Sequence, residues 1–388
     1  MNRSPDPALL TMKNSPENIL IIAGEPSGDM RGGELIKELN RYLPDASFWG
    51  IGGDHMLEQG VELIEHIREL SIIGVWEAVK NHSRTKAQYA KCVENIRKRK
   101  PLAAILIDYP GFNLAIAKHL HAKGIRVIYY IIPQVWAWGR GRTRLLKRYA
   151  DKLLVLFEFE KRFLEKQGIK AEFVGHPLVD KVPALPAGEK ERSGFTVALL
   201  PGSRESEIKN LLPIMLDTAE MVHKERDDTN FIVAENSNVD ASLYDSTMSG
   251  HTGIDIRRVK DNTFQALAAS DFAIVASGTA TLETAAMERP FIVVYKASPL
   301  TAFFYYRCIK IPYLGLVNII AGKEVAPELI QQDATPGKIS KKTLEMINND
   351  TLLGTTKEEL RKVKAALGGT GASKRAAEAV RKFIEDTV

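Results

Sequence analysis

The chain has 388 residues, 45% of them hydrophobic and 26% charged, with a net charge of +5. That length suggests two domains, and the balance of apolar and charged residues excludes a disordered chain. The two cysteines, Cys92 and Cys308, lie far apart and form neither a metal-ligand pattern nor a disulfide framework, which fits a reducing compartment.

The first 17 residues are polar and contain prolines, so no secretory signal is expected. No stretch reaches the about 18 uninterrupted apolar residues that a membrane span needs. Apolar runs then recur, each followed by a helix-like pattern. Ile19–Ala23, Ser47–Ile51, Ala103–Asp108, Val127–Ile132 and Leu153–Phe157 form one series of predicted strands. Thr196–Leu200, Phe231–Ala234, Phe272–Ala276 and Phe291–Tyr295 form a second. Continuous Ile, Val and Leu without polar alternation marks parallel strands buried on both faces. Alternation with helices predicts βαβ units and doubly wound sheets.

Between the two series, His176 to Gly194 carries three prolines and a charged run and reads as a linker. The expected organisation is an α/β fold of two Rossmann-like domains, 17–178 and 194–366, facing a cleft. A helix within 370–388 follows, expected to pack back on the first domain, with exchange into a second copy as the alternative. In such sheets ligands bind at the carboxyl ends of the strands.

Four strand ends carry chemistry. At Ala23–Asp29 the sequence AGEPSGD is neither a dinucleotide fingerprint nor a P-loop. Its small residues still let a backbone approach a ligand, with Ser27 or Asp29 as the alternative helix cap. Asp108 ends a buried strand before a Pro-Gly turn, as a general base or as a helix cap. Pro201-Gly202-Ser203-Arg204 suits a diphosphate, since a helix start and a guanidinium both favour negative charge. Ser277-Gly278-Thr279 opens another helix, and Glu283 one turn on could accept ribose hydroxyls or act in a capping box. No H-E-x-x-H or D-x-D motif occurs, and His119 and His121 do not share a helix face, so no metal and no cofactor is expected.

These motifs occur in a set order with PQVWAW (Pro133–Trp138), GHPLVD (Gly175–Asp180) and VNIIAG (Val317–Gly322). Together they resemble the lipid-A-disaccharide synthase family over residues 18–335. The resemblance implies the GT-B architecture and a bacterial inverting glycosyltransferase. Its reaction moves 2,3-diacylglucosamine from UDP to the 6-hydroxyl of 2,3-diacylglucosamine 1-phosphate. It further implies Asp108 as base, and Gly202, Ser203, Arg204, Ser277, Gly278, Thr279, Glu283 and Asn318 around UDP. Ser27, Gly28, Asp29 and Asn113 fall on the acceptor side. Gly111 stands where many relatives have an acid, and Pro26 replaces a common Ala.

Acylated substrates imply a bilayer surface, hence a cytoplasmic protein peripheral to the inner face of the inner membrane. Glu69–Lys91 sets Ile72, Ile73, Val75 and Trp76 beside Lys80, Arg84 and Lys86, which suits an interfacial segment on anionic lipid. Gly139–Arg148 and Phe303–Tyr313 are weaker candidates of the same kind. The competing functions are a UDP-sugar epimerase of similar build and a nucleotide-binding regulator without turnover. No nucleic-acid module accompanies the basic residues.

Overall fold

The computed structural model describes residues 18–69, 78–137, 140–183, 194–296 and 312–386. The chain divides into two compact units. The first runs to Pro177 and takes in the segment from Thr370 onward; the second is Leu178–Gly369.

The first unit is built on a seven-stranded sheet of order β3-β2-β1-β4-β5-β6-β7. Its strands are β1 (Asn18–Ala23), β2 (Ser47–Gly52), β3 (Glu62–His66), β4 (Ala103–Ile107), β5 (Arg126–Tyr130), β6 (Lys152–Val155) and β7 (Glu172–Phe173). The second unit has six strands in the order β10-β9-β8-β11-β12-β13. These are β8 (Phe195–Leu200), β9 (Thr229–Glu235), β10 (Ile256–Lys260), β11 (Phe272–Ala276), β12 (Phe291–Tyr295) and β13 (Glu328–Ile330). Every pairing among the described strands is parallel. The central strands are buried throughout, as in β1, where Ile19 to Ala23 have no exposed surface. Parallel pairing demands this, because helices cover both faces.

The expected strands are all present, and four further ones appear. Those four, β3, β7, β10 and β13, are the outer edges of the two sheets. Their sequences (ELIEH, EF, IRRVK, ELI) are short or charged. An edge strand is covered on fewer sides and carries charge that blocks further pairing, so it lacks the apolar run that marks the centre.

The helix Ala372–Glu385 belongs to the first unit. Its buried face includes Ala376, Val380, Phe383 and Ile384. Arg375 Nε donates to the Val174 carbonyl at 2.9 Å, and Tyr42 Oη donates to Glu378 at 3.0 Å. The Arg126 guanidinium lies 4.1 Å from the centre of the Phe383 ring. The terminal helix therefore packs back on the first unit of its own chain.

Candidate active site

In the first unit the strand expected through Asp108 stops at Ile107. Asp108 and Tyr109 both take left-handed backbone, with φ of +45° and +46°. For residues with a Cβ this costs on the order of 1–3 kcal/mol each and persists only where the surroundings enforce it. The enforcement is visible. The Asp108 N–H points at the Tyr130 and Ile131 carbonyls, 3.2 Å from each. Its carbonyl accepts from Asn113 Nδ2 at 2.9 Å and from Tyr129 Oη at 2.7 Å. The Tyr109 ring lies over Gly24, where any Cβ would collide with it. That close approach explains the glycine that opens the AGEPSGD turn.

The Asp108 side chain is half-buried at this sheet edge. Burial pushes its carboxyl up to about 6; the nearby Glu25 charge adds to the rise, and the Tyr109 backbone N–H opposes it. A carboxylate that titrates near working pH suits a general base. Glu25, the exposed residue just before the helix Pro26–Tyr42, was not singled out by sequence reasoning.

Two of the residues expected on the acceptor side, Asp29 and Asn113, are buried. Asp29 is 2% exposed, and its carboxylate accepts from the backbone N–H groups of Gly53 (2.7 Å), His55 (3.1 Å) and Met56 (3.1 Å). It caps the short helix Asp54–Leu57 and leaves no free face for a ligand. Asn113 is fully buried, and its amide donates to the Ile107 and Asp108 carbonyls. It braces the backbone at Ile107 and Asp108 through its amide N–H groups. Gly28 is buried, with Ala23 and Ile107 against it, and Ser27 is exposed.

The second unit holds a cavity of about 370 Å³ at the strand ends. The turn after β8 (Gly202, Ser203, Arg204) and the turn after β11 (Ser277, Gly278, Thr279) both line it, together with Glu283. Seven of the eight expected donor residues thus share one cavity. The helix after β8 starts at Glu205, later than expected, with Arg204 as its cap. Glu207 explains the delay. Its carboxylate accepts from the N–H groups of Ser203 (2.9 Å) and Arg204 (3.2 Å), and pairs with the Arg204 guanidinium at 2.9 Å. An acidic side chain therefore occupies the donors and the cation that an incoming anion would use. Asn236, Asn238 and Asp261, from the loops after β9 and β10, and Thr263, which opens the helix Thr263–Ala268, line the same cavity and were missed, because no motif marks them.

Asn318 is the eighth, and it does not line the cavity. It is fully buried, and its amide donates to the Ala326 carbonyl at 2.7 Å and to Glu328 at 2.8 Å. Its oxygen accepts from the Val325 and Ala326 N–H groups at 2.7 and 2.9 Å. Asn318→Ala leaves three buried backbone groups without this partner, each worth about 1–3 kcal/mol. The expected result is a second unit destabilised by several kcal/mol, read as an early thermal transition. A variant that melts like the wild type yet loses UDP binding would make Asn318 a ligand contact.

Of the expected interfacial residues, Ile72, Ile73, Val75 and Trp76 lie outside the described residues, as does most of Phe303–Tyr313. Lys80 falls in the helix Ala78–Arg99, and Arg84 on that helix is exposed. On the basic helix Arg140–Tyr149, Leu145 is 39% exposed beside exposed Arg144 and Arg148. No described helix is long and apolar enough to cross a membrane. Among the described residues no group of three or more His, Cys, Asp and Glu could hold a metal.

The Asp108 carboxyl lies at a strand end of the first unit, and the cavity of about 370 Å³ lies at two helix starts of the second. A family model described as lipid-A-disaccharide synthetase matches residues 19–383. The chain belongs to that family. A lipid-A-disaccharide synthase of Persephonella marina is 38% identical over 376 residues, which cover 94% of this chain and 98% of the relative. Among solved structures, the calicheamicin glycosyltransferase CalG4 aligns with a TM-score of 0.62 at 12% identity, covering 95% of this chain and 98% of CalG4. A UDP-GlcNAc 2-epimerase from Neisseria meningitidis, solved with UDP-GlcNAc bound, aligns with a TM-score of 0.54 at 12% identity, covering 95% and 99%. At such identities the structural likeness shows the fold alone, two parallel-sheet α/β domains of the GT-B kind. The epimerase alternative rests on that likeness only and is not favoured over the family match. The chain is a glycosyltransferase.

Proposed function

We propose that this enzyme transfers 2,3-diacylglucosamine from UDP to the 6-hydroxyl of 2,3-diacylglucosamine 1-phosphate, forming the β(1→6) tetraacyl disaccharide 1-phosphate and UDP. The observation that carries the mechanism is Asp108, a carboxylate held at a sheet edge by strained backbone and raised towards neutral pH. It takes the proton of the acceptor hydroxyl as the O–C1 bond forms. The C1–O bond to the diphosphate breaks in the same displacement, and the configuration inverts.

The leaving diphosphate lies in the second-unit cavity. Arg204 and the N–H groups at Ser203 and Arg204 stabilise its charge, after Glu207 has released them. Ser277, Gly278 and Thr279 bound the other side, and Glu283 takes the ribose hydroxyls. The anomeric linkage of the product tests this reading. Purified enzyme with both lipid substrates should yield a β(1→6) disaccharide by NMR, and an α-linked product would overturn the single displacement.

The finer setting is proposed as well. The acylated substrates place the enzyme on the inner face of the inner membrane, with Ile72, Val75 and Trp76 entering lipid and Lys80 and Arg84 facing anionic headgroups. Replacing Ile72, Val75 and Trp76 with Ser should cut binding to anionic vesicles several-fold while the melting temperature holds. Unaltered vesicle binding would move the interfacial segment elsewhere. Exchange of the helix Ala372–Glu385 between two copies would keep the same contacts, and light scattering reads the resulting homodimer.

A further inference from the structure

The PQVWAW motif (Pro133–Trp138) has no part in the steps above. Its segment leaves β5 at the sheet edge where Asp108 leaves β4, and the neighbouring strand β6 leads to Phe157–Glu160. Asp108 donates its N–H towards Ile131 at the start of that segment. Asp108 is therefore bonded, backbone to backbone, to the residue two before the motif.

Behind the motif sits a buried acid. Glu160 is 5% exposed; one oxygen accepts from the Trp136 indole N–H and the other from the Phe157 N–H, both at 3.3 Å. A Glu at this third helical position serves as a capping partner anywhere on a surface. Capping alone gives no reason to bury it, since a buried acid is costly unless its bonds fix something. Here it fixes the indole. Burial drives the Glu160 carboxyl up to about 8; the Trp136 and Phe157 N–H groups work against that, and the Asp108 charge adds to it. The two acids are thus within electrostatic reach.

The indole is held from a second side. Phe159 meets it edge-on, with ring centres 5.2 Å apart and planes at 83°, and Phe159 stacks on Phe157 at 5.4 Å. Phe157 in turn lies 5.3 Å from the His176 ring. Trp136 and Phe159 are only half-buried, unlike Phe157. The row so presents one oriented, partly open aromatic surface at the strand ends of β5 and β6, next to the strand that Asp108 follows.

We propose that Trp136, fixed by Glu160 and Phe159, is the seat of the acceptor sugar, and that Glu160 is a positioning residue. This rests on the glycosyl-transfer reading. A pyranose has an apolar C–H face and a polar rim. An indole takes the face by van der Waals contact and leaves the hydroxyls free, so the attacking one can turn to Asp108.

Steady-state kinetics with each substrate varied in turn provide the test, paired with quenching of intrinsic fluorescence by a short-chain diacylglucosamine 1-phosphate. Trp136→Ala should raise the acceptor KM by about 10–100-fold, with the donor KM and the UDP Kd unchanged. Trp136→Phe should recover part of the loss. Glu160→Gln keeps an acceptor oxygen for the indole and should stay near wild type in acceptor KM, whereas Glu160→Ala should not. Should Trp136→Ala fail to fold, the Phe and Gln variants carry the comparison. An acceptor KM untouched by Trp136→Ala, or a UDP Kd that shifts with it, overturns the seat while glycosyl transfer stands. A wild type that binds the acceptor probe through Trp136 yet turns nothing over keeps the seat and overturns the reaction.

Discussion

Asp108→Asn should lower turnover by about 10²–10⁴-fold, the range for loss of a general base, and should at the same time make the protein more stable at pH 8. The second half follows from linkage. The folded carboxyl sits at about 6, above its ordinary 3.8. The fold therefore favours the protonated form. The stability this group contributes is fully present below about 3.8 and lost as pH rises through about 6. At about 1.4 kcal/mol per pH unit, and discounted for a half-buried group, Asn should gain on the order of 1–3 kcal/mol at pH 8. Asn keeps an oxygen for the Tyr109 N–H but carries no charge. Thermal melts at pH 5 and pH 8 read the effect: the advantage of the variant should grow with pH. The wild-type rate should rise through about pH 6, because the base works only when ionised. Full turnover by Asp108→Asn would remove it as the base, and an advantage that did not vary with pH would refute the burial account.

Arg204→Ala should weaken UDP binding by about 10–100-fold with almost no change in melting temperature. The asymmetry comes from where the side chain sits. Arg204 is 77% exposed on its side chain and, among the described residues, pairs with Glu207, three residues on. An exposed pair of this kind is worth under about 1 kcal/mol, so the free protein loses little. A diphosphate loses a charge-assisted, two-pronged contact worth about 1.5–3 kcal/mol. Arg204→Lys should restore only part, because an ammonium cannot form the fork. Titration calorimetry with UDP measures all three proteins. Equal affinity in wild type and Arg204→Ala would place the phosphates elsewhere in the cavity.

The centre of the fold was readable because its physics leaves a strong mark. A strand buried on both faces has to be apolar throughout, so β1, β4, β8 and β11 announce themselves. The edges β3, β7, β10 and β13 meet water and carry Glu, His, Arg or Lys, so their sequences look like loops. The site was legible in part for a related reason. Residues such as Arg204 and Ser277 belong to turns at strand ends, and the topology of a parallel sheet carries those turns to one edge.

Asp29, Asn113 and Asn318 are buried in hydrogen bonds that the sequence did not reveal. Each is a polar residue inside a motif, and a motif is shaped by braces as much as by ligand contacts. Whether a carboxylate or amide turns inward depends on which backbone N–H and C=O groups lie within hydrogen-bond reach of it. For Asp29 those belong to Gly53, His55 and Met56, more than twenty residues away. Glu160 was hidden for the converse reason. It resembles an ordinary capping residue until the fold buries it against Trp136.

The most direct measurement is the rate of UDP release from UDP-2,3-diacylglucosamine, taken with and without 2,3-diacylglucosamine 1-phosphate. Direct transfer to an activated alcohol predicts release that rises from near zero to saturation as the acceptor is added. Release at the same rate without acceptor would contradict it, since the donor would then be breaking down without an incoming hydroxyl.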